Sequence, residues 1–138
     1  MNRNFDRLKL SSNPDDMDMT YIVNYLKTSY WAESRTVASI EKSLKNSFCF
    51  SLLLENEQIG FARVVTDQIV FAYLMDVFID PVYQGNGYGN YLLDKLLKDP
   101  ILVNVECIRL ATKDAHPFYL KKGFKKINHP EFLMEKKQ

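Results

Sequence analysis

Three glycines alternate in Gln84-Gly85-Asn86-Gly87-Tyr88-Gly89, where a long apolar run gives way to a helical pattern. A helix starting there offers free backbone N–H groups and the positive end of its dipole, a combination that binds an anion such as a pyrophosphate. Glycine suits the task because no Cβ keeps the anion away. The same glycines could instead only make a tight turn. A G-x-G-x-x-G dinucleotide fingerprint would need its third glycine at position 90, which is Asn90, and no Gly-Lys-Ser/Thr ending of a phosphate loop is present. A nucleotide-binding domain of another fold is therefore disfavoured. A second feature is Asp76, which interrupts an apolar stretch between Met75 and Val77. A charge there needs a partner or a purpose.

The bulk properties limit what surrounds these residues. At 138 residues and 46% hydrophobic content, the chain fits one domain with one core. Eighteen basic and seventeen acidic residues leave a net charge of +1 with no long run of either sign, so no nucleic-acid partner and no membrane surface are expected. No apolar run approaches the roughly 20 residues of a spanning helix. Cys49 and Cys107 are far apart, form no CxxC pair and have no histidine at metal-ligand spacing, so no metal is expected. They read as two buried thiols in a reducing compartment, which implies a cytoplasmic protein.

The periodicity predicts a strand over 5–10, then a helix capped by Asp18 with Ile22, Tyr25, Leu26 and Ser29 on one face. Ser34 is expected to cap a second helix carrying Val37, Ile40 and Leu44, with Tyr30 and Trp31 at the junction. Strands at 48–54, 59–66 and 69–79, joined by the turns Glu55-Asn56-Glu57-Gln58 and Asp67-Gln68, make an antiparallel meander. After the glycine loop, Leu92, Leu93, Leu96 and Leu97 face inward on a helix that ends before Pro100. A strand over 106–112, a short helix capped by Asp114 and stopped by Gly123, and a terminal hairpin of 124–127 with 132–135 complete the order.

Gln84, Gly87 and Gly89 match the Gln/Arg-x-x-Gly-x-Gly/Ala signature, and Ala115, Phe118, Tyr119, Gly123 and Phe124 match an Ala-x-x-Phe-Tyr-x-x-x-Gly-Phe pattern. With a strand between them, the two blocks resemble the GNAT superfamily of acetyl-coenzyme A-dependent N-acetyltransferases, over about 48–135. The resemblance implies a mixed α/β fold, a three-layer α-β-α sandwich whose mostly antiparallel sheet is splayed in the middle. It treats 1–138 as a single domain, with 1–47 supplying the acceptor-side strand and helix pair.

What the resemblance implies for the site follows residue by residue. The backbone of Val77, Phe78 and Ile79 would pair with the pantetheine arm of acetyl-CoA, and the N–H groups of Gln84, Gly85, Asn86, Gly87, Tyr88 and Gly89 would hold its pyrophosphate. An N–H near Val77 and Phe78 could stabilise the tetrahedral oxyanion, worth about 3 kcal/mol. Thr112 and Phe118 would also touch the coenzyme, Thr112 standing where many relatives carry Asn, while Gln84 replaces the more frequent Arg. Tyr119 would hydrogen-bond the departing thiolate, or else be a packed aromatic. Asp76 would be the general base or hold the amine, or else pair with Arg63. Tyr30 and Trp31 would line the acceptor pocket, or else be core. His116 could relay a proton or merely belong to the start of its helix, and His129 reads as solvated. The implied activity is direct acetyl transfer to a primary amine of a small molecule or peptide, the alternative being a non-catalytic acyl-CoA-binding module. A homodimer stays open, since many relatives form one.

Overall fold

The computed structural model describes residues 5–138. Five strands, β1 (Leu8–Ser11), β2 (Phe48–Leu54), β3 (Glu57–Thr66), β4 (Phe71–Ile79) and β5 (Cys107–Arg109), form one sheet in chain order. All neighbours are antiparallel except β4 and β5, which run parallel. Helices α1 (Met19–Thr28) and α2 (Val37–Lys45) cover one face and α3 (Tyr88–Leu97) and α4 (His116–Leu120) the other, giving the three layers expected.

Each face has its own core. Ile22, Val23 and Leu26 of α1 and Ile40 and Leu44 of α2 close on Phe61 and Phe78. Leu92, Leu93 and Leu96 of α3 close on Phe50, Leu52, Ile59, Val64 and Leu74. Asp18 caps α1 through Tyr21 N at 3.0 Å, as expected. The β2–β3 connection is tighter than predicted: Glu55 and Asn56, both at positive φ, make a two-residue hairpin turn.

Two irregularities shape the middle of the sheet. On β4, Asp76 adopts φ +53°, and two residues, Asp76 and Val77, stand opposite the single Ala62. This β-bulge shifts the alternation by one residue. Ala72 and Leu74 belong to the core under α3, whereas Phe78 packs under α1 and α2 with its ring stacked 3.8 Å from Tyr25. Meanwhile β5 pairs only with Phe71, Ala72 and Tyr73, so it has no register with β4 beyond Tyr73. The sheet is therefore splayed between β4 and β5, its last two strands.

Several expectations are corrected. Thr36, not Ser34, caps α2, because residues 29–35 form their own helical turn, with Glu33 N bonded to Ser29 O and Arg35 N to Ala32 O. Asp114 does not cap α4: Thr112 Oγ1 takes the Ala115 N–H at 3.1 Å, and α4 starts at His116. The strand expected over 106–112 shrinks to three residues. The terminal hairpin is absent; 125–138 are exposed, with a 3₁₀ turn at Pro130–Phe132 and His129 stacked on Phe132 at 4.5 Å. So short a β5 offers little edge for such a hairpin to join. Nor are both thiols buried: Cys107 is exposed on β5, and Cys49 is half-buried, its thiol pushed up to about 11 by burial.

Gly60 stands at a close approach between β3 and β4. A Cβ there would lie 2.8 Å from Ile79 Cδ1 and 2.9 Å from the Phe78 carbonyl oxygen. Ile79 can turn away, but the backbone carbonyl cannot. Gly60→Val is expected to destabilise the fold by about 1–3 kcal/mol, the usual cost of overpacking. A thermal melt should show a drop of at least several degrees; an unchanged midpoint would mean that β3 and β4 are free to separate here.

Candidate functional site

Where β4 and β5 part, a cleft of about 520 Å³ opens. Its floor is β4 from Tyr73 to Val77, one wall is the 30–35 segment between α1 and α2, and the other is the 110–115 segment leading into α4, with Tyr119 behind. The cleft thus draws mainly on three separate parts of the chain, with Lys137 of the C-terminal segment added at its border.

Asp76 anchors the floor. Its side chain has no solvent exposure, yet both oxygens are engaged. Oδ2 accepts from Arg63 Nε at 2.8 Å, Oδ1 from Trp31 Nε1 at 2.8 Å, and Arg35 NH1 reaches both oxygens at 3.0 and 3.1 Å. Each nitrogen of Arg63 is itself engaged, since it donates also to Ser47 Oγ at 3.0 Å and to Met75 Sδ at 3.3 Å. The left-handed conformation of Asp76 is one that aspartate tolerates better than most residues. By turning the strand, the bulge brings this carboxylate under the 30–35 segment.

Trp31 and Tyr30 meet edge to face at 5.1 Å and line the cleft, still 36% and 53% exposed. They are neither core nor loose. Trp31 is tied to Asp76, Tyr30 accepts the Lys113 backbone N–H at 3.3 Å, and the Lys113 ammonium lies 5.5 Å from the Tyr30 ring. The α1–α2 connection is thereby joined across the cleft to the segment before α4.

Tyr119 is 9% exposed and packs against Phe118 and Phe124 at 5.1 and 5.6 Å. Burial, helped by Tyr30, pushes its phenol up to about 12. Among the described residues nothing hydrogen-bonds its hydroxyl, which borders the cleft. The phenol is therefore a neutral donor through the whole physiological range. Asp76 lines the cleft from the sheet and Tyr119 from the helical layer of α3 and α4.

At the far end of β4, Gly85 (φ +84°) and Gly87 (φ +80°) take the left-handed turn that leads into α3. No side chain caps α3, leaving its first N–H groups for an outside partner. Gln84 Nε2 donates to Ile79 O at 2.9 Å and Asn86 Nδ2 to Tyr83 O at 3.0 Å, so both side chains brace the loop. A Cβ on Gly89 would touch only Phe118 and Ile79, at 3.6–3.8 Å, ordinary contact distances. The two sequence blocks thus meet where Gly89 faces Phe118. Tyr88 packs edge-on against Phe5 at 6.4 Å.

Of the residues singled out from sequence, Tyr30, Trp31, Asp76, Val77, Thr112 and Tyr119 line the cleft. Phe78 and Ile79 do not; the Phe78 side chain is core, leaving only its backbone for any ligand. His116 is exposed and outside the lining. Arg35 and Lys113 line the cleft and were missed. Arg35 is 41 positions from Asp76 in a segment without periodicity, so no local pattern could have paired them. No group of His, Cys, Asp or Glu among the described residues could hold a metal, and no helix among them is long and apolar enough to cross a membrane.

The family profile for the acetyltransferase (GNAT) domain matches residues 45–126. A protein from Xanthomonas campestris pv. campestris, assigned as an acetyltransferase of the GNAT family, superposes with a TM-score of 0.90 at 33% identity, covering 95% of this chain and 93% of that one. The uncharacterised N-acetyltransferase ycf52 of Porphyra purpurea is 29% identical over 134 residues, covering 90% of this chain and 76% of its own length. A Gibberella zeae protein assigned as an acetyltransferase is 32% identical over 85 residues, and the match spans about half of each chain, 49% of this one and 48% of that one.

Asp76 also yields a stability prediction. Removing one partner of a buried ionic network leaves uncompensated charge, at about 3–5 kcal/mol. Asp76→Ala should lower the urea midpoint by that equivalent, and Arg35→Ala, at a partly exposed site, by clearly less. Equal small effects would show that the carboxylate is not what holds the 30–35 segment down.

Proposed function

Because the chain belongs to the GNAT acetyltransferase family, we propose that it is an N-acetyltransferase moving an acetyl group from acetyl-CoA to a primary amine by direct attack in a ternary complex. One juxtaposition carries the reading. The uncapped start of α3, preceded by two left-handed glycines, adjoins a β4 strand that β5 leaves without a partner beyond Tyr73. The first binds an anion and the second accepts an added strand. Acetyl-CoA offers both a pyrophosphate and a pantetheine arm with amide groups, and its thioester supplies the acetyl group.

In this reading the N–H groups of 84–89 hold the pyrophosphate, and the β4 backbone at Val77, Phe78 and Ile79 pairs with the pantetheine. Thr112 and Phe118 flank that path, and Tyr30 and Trp31 border the acceptor. A backbone N–H beside the bulge polarises the thioester carbonyl and stabilises the oxyanion of the tetrahedral intermediate. Tyr119 donates a hydrogen bond to the sulfur as the C–S bond breaks. With its phenol near 12 and a thiol near 8.5, complete proton transfer is uphill by about 5 kcal/mol, so the proton is shared rather than given up.

Asp76 is a positioning residue in this mechanism. Its lone pairs are already taken by two guanidinium groups and an indole, so the amine loses its proton through water in the cleft. Asp76 instead fixes Trp31 and Arg35 at the acceptor end. The same saturated carboxylate is the observation that favours the second reading, a non-catalytic acyl-CoA-binding module, because it leaves the site without an evident base.

Thiol release from acetyl-CoA over a panel of amines, run beside thermal-shift titration with coenzyme A, separates the two. Release that depends on one class of amine establishes the enzyme, and a coenzyme A shift without release on any amine establishes the module. For an enzyme, Tyr119→Phe should lower kcat 10–100-fold with coenzyme affinity nearly unchanged. Gly87→Leu, which forces a branched side chain into a left-handed position, should weaken coenzyme binding itself. Full turnover in Tyr119→Phe would remove the phenol from the mechanism.

A further inference from the structure

Resting on the transferase reading, the charge at the acceptor end narrows the kind of amine. Two guanidinium groups share the one carboxylate of Asp76, which leaves an excess positive charge beside the cleft. The two arginines differ in what they have left to give. Arg63 is buried, and all three of its nitrogens donate within the protein. Arg35 has a side chain 27% exposed that borders the cleft, and it uses only NH1, leaving Nε and NH2 without a hydrogen-bond partner among the described residues.

That half-used guanidinium is also held still. NH1 reaches both Asp76 oxygens, and the Arg35 carbonyl takes a hydrogen bond from Lys27 Nζ at 2.7 Å. A fixed planar fork with two unused donor nitrogens is suited to a carboxylate or phosphate, and fixing it beforehand lowers the entropy lost on binding. The other lining charges are mixed but positive on balance: Lys113 on the opposite wall and Lys137, itself paired with Glu135, stand against the exposed Asp114. Among the described residues the cleft has no second buried carboxylate to receive a polycation.

We propose that the acceptor is a small amine that also carries an oxyanion, either a carboxylate or a phosphate, and that the free nitrogens of Arg35 bind that group. Polyamines and amines in a strongly basic context are disfavoured, since each would bring positive charge against Arg35 and Lys113.

Matched pairs test this on the full chain with acetyl-CoA: an amino acid against its carboxamide, a hexosamine 6-phosphate against the unphosphorylated hexosamine, and spermidine as the polycation. At least one anionic member should exceed its neutral twin by tenfold or more in kcat/KM, and the pair that shows it identifies carboxylate or phosphate. Arg35→Lys keeps a cation for Asp76 but loses the fork, so it should bring that ratio to within about threefold while the coenzyme A thermal shift is retained. Neutral twins acetylated as well as anionic ones, or spermidine faster than both, would overturn the proposal. So would an Arg35→Lys variant that keeps the ratio but loses the coenzyme A shift, because Arg35 would then be a coenzyme contact. If no amine is acetylated, the transferase reading fails by itself. The same pairs titrated calorimetrically into the coenzyme A complex then decide the oxyanion site, which is refuted by neutral twins binding as tightly as anionic ones.

Discussion

The carboxylate of Asp76 is held by Arg63 from the neighbouring strand and by Trp31 and Arg35 from the segment between the first two helices. Three residues from two distant parts of the chain thus converge on the two oxygen atoms of a side chain with no solvent exposure. Such a network is costly to break, because any partner removed leaves a charge or donor stranded at low dielectric. Its consequence is specificity of arrangement. The strand must bulge where Asp76 turns left-handed, and the α1–α2 connection must dock where Trp31 and Arg35 can reach.

The rest of the cleft follows from that bulge. Shifting the alternation sends Phe78 to one core while Ala72 and Leu74 serve the other, so a single strand supports both helical layers. Past Tyr73 the strand has no partner on its β5 side. Its far end stays close to its antiparallel neighbour because Gly60 lets the Phe78 carbonyl come within a distance that no side chain would allow. An edge on one side and a tight pair on the other leave β4 open along a path that leads to the glycine loop and the uncapped start of α3, the path proposed for the added strand.

Much of this was legible in sequence wherever a local pattern sufficed. β2 was read at its observed bounds from its apolar, aromatic run, α3 from its leucine spacing, the α1 cap from Asp18, and the α4 stop from Gly123. What failed depended on distant partners. Ser34 had the right chemistry for a cap, but the chain was still completing the turn begun at Ser29. The segment 124–135 carried strand-like residues and found no edge to join. Asp76 stood out because it broke an apolar run, yet its saturation required Arg35, whose segment shows no periodicity to place it. Arg63 was anticipated as its partner; the second guanidinium and the indole were not.

Amide hydrogen exchange with and without coenzyme A probes the account most directly, since both proposed contacts are made by backbone N–H groups. New protection is expected in two stretches, 77–79 on β4 and 84–90 at the loop and first turn of α3, with the β1–β2 edge unchanged. Protection elsewhere, or none in β4 despite saturating coenzyme, would contradict the claim that the parting of β4 and β5 receives an added strand.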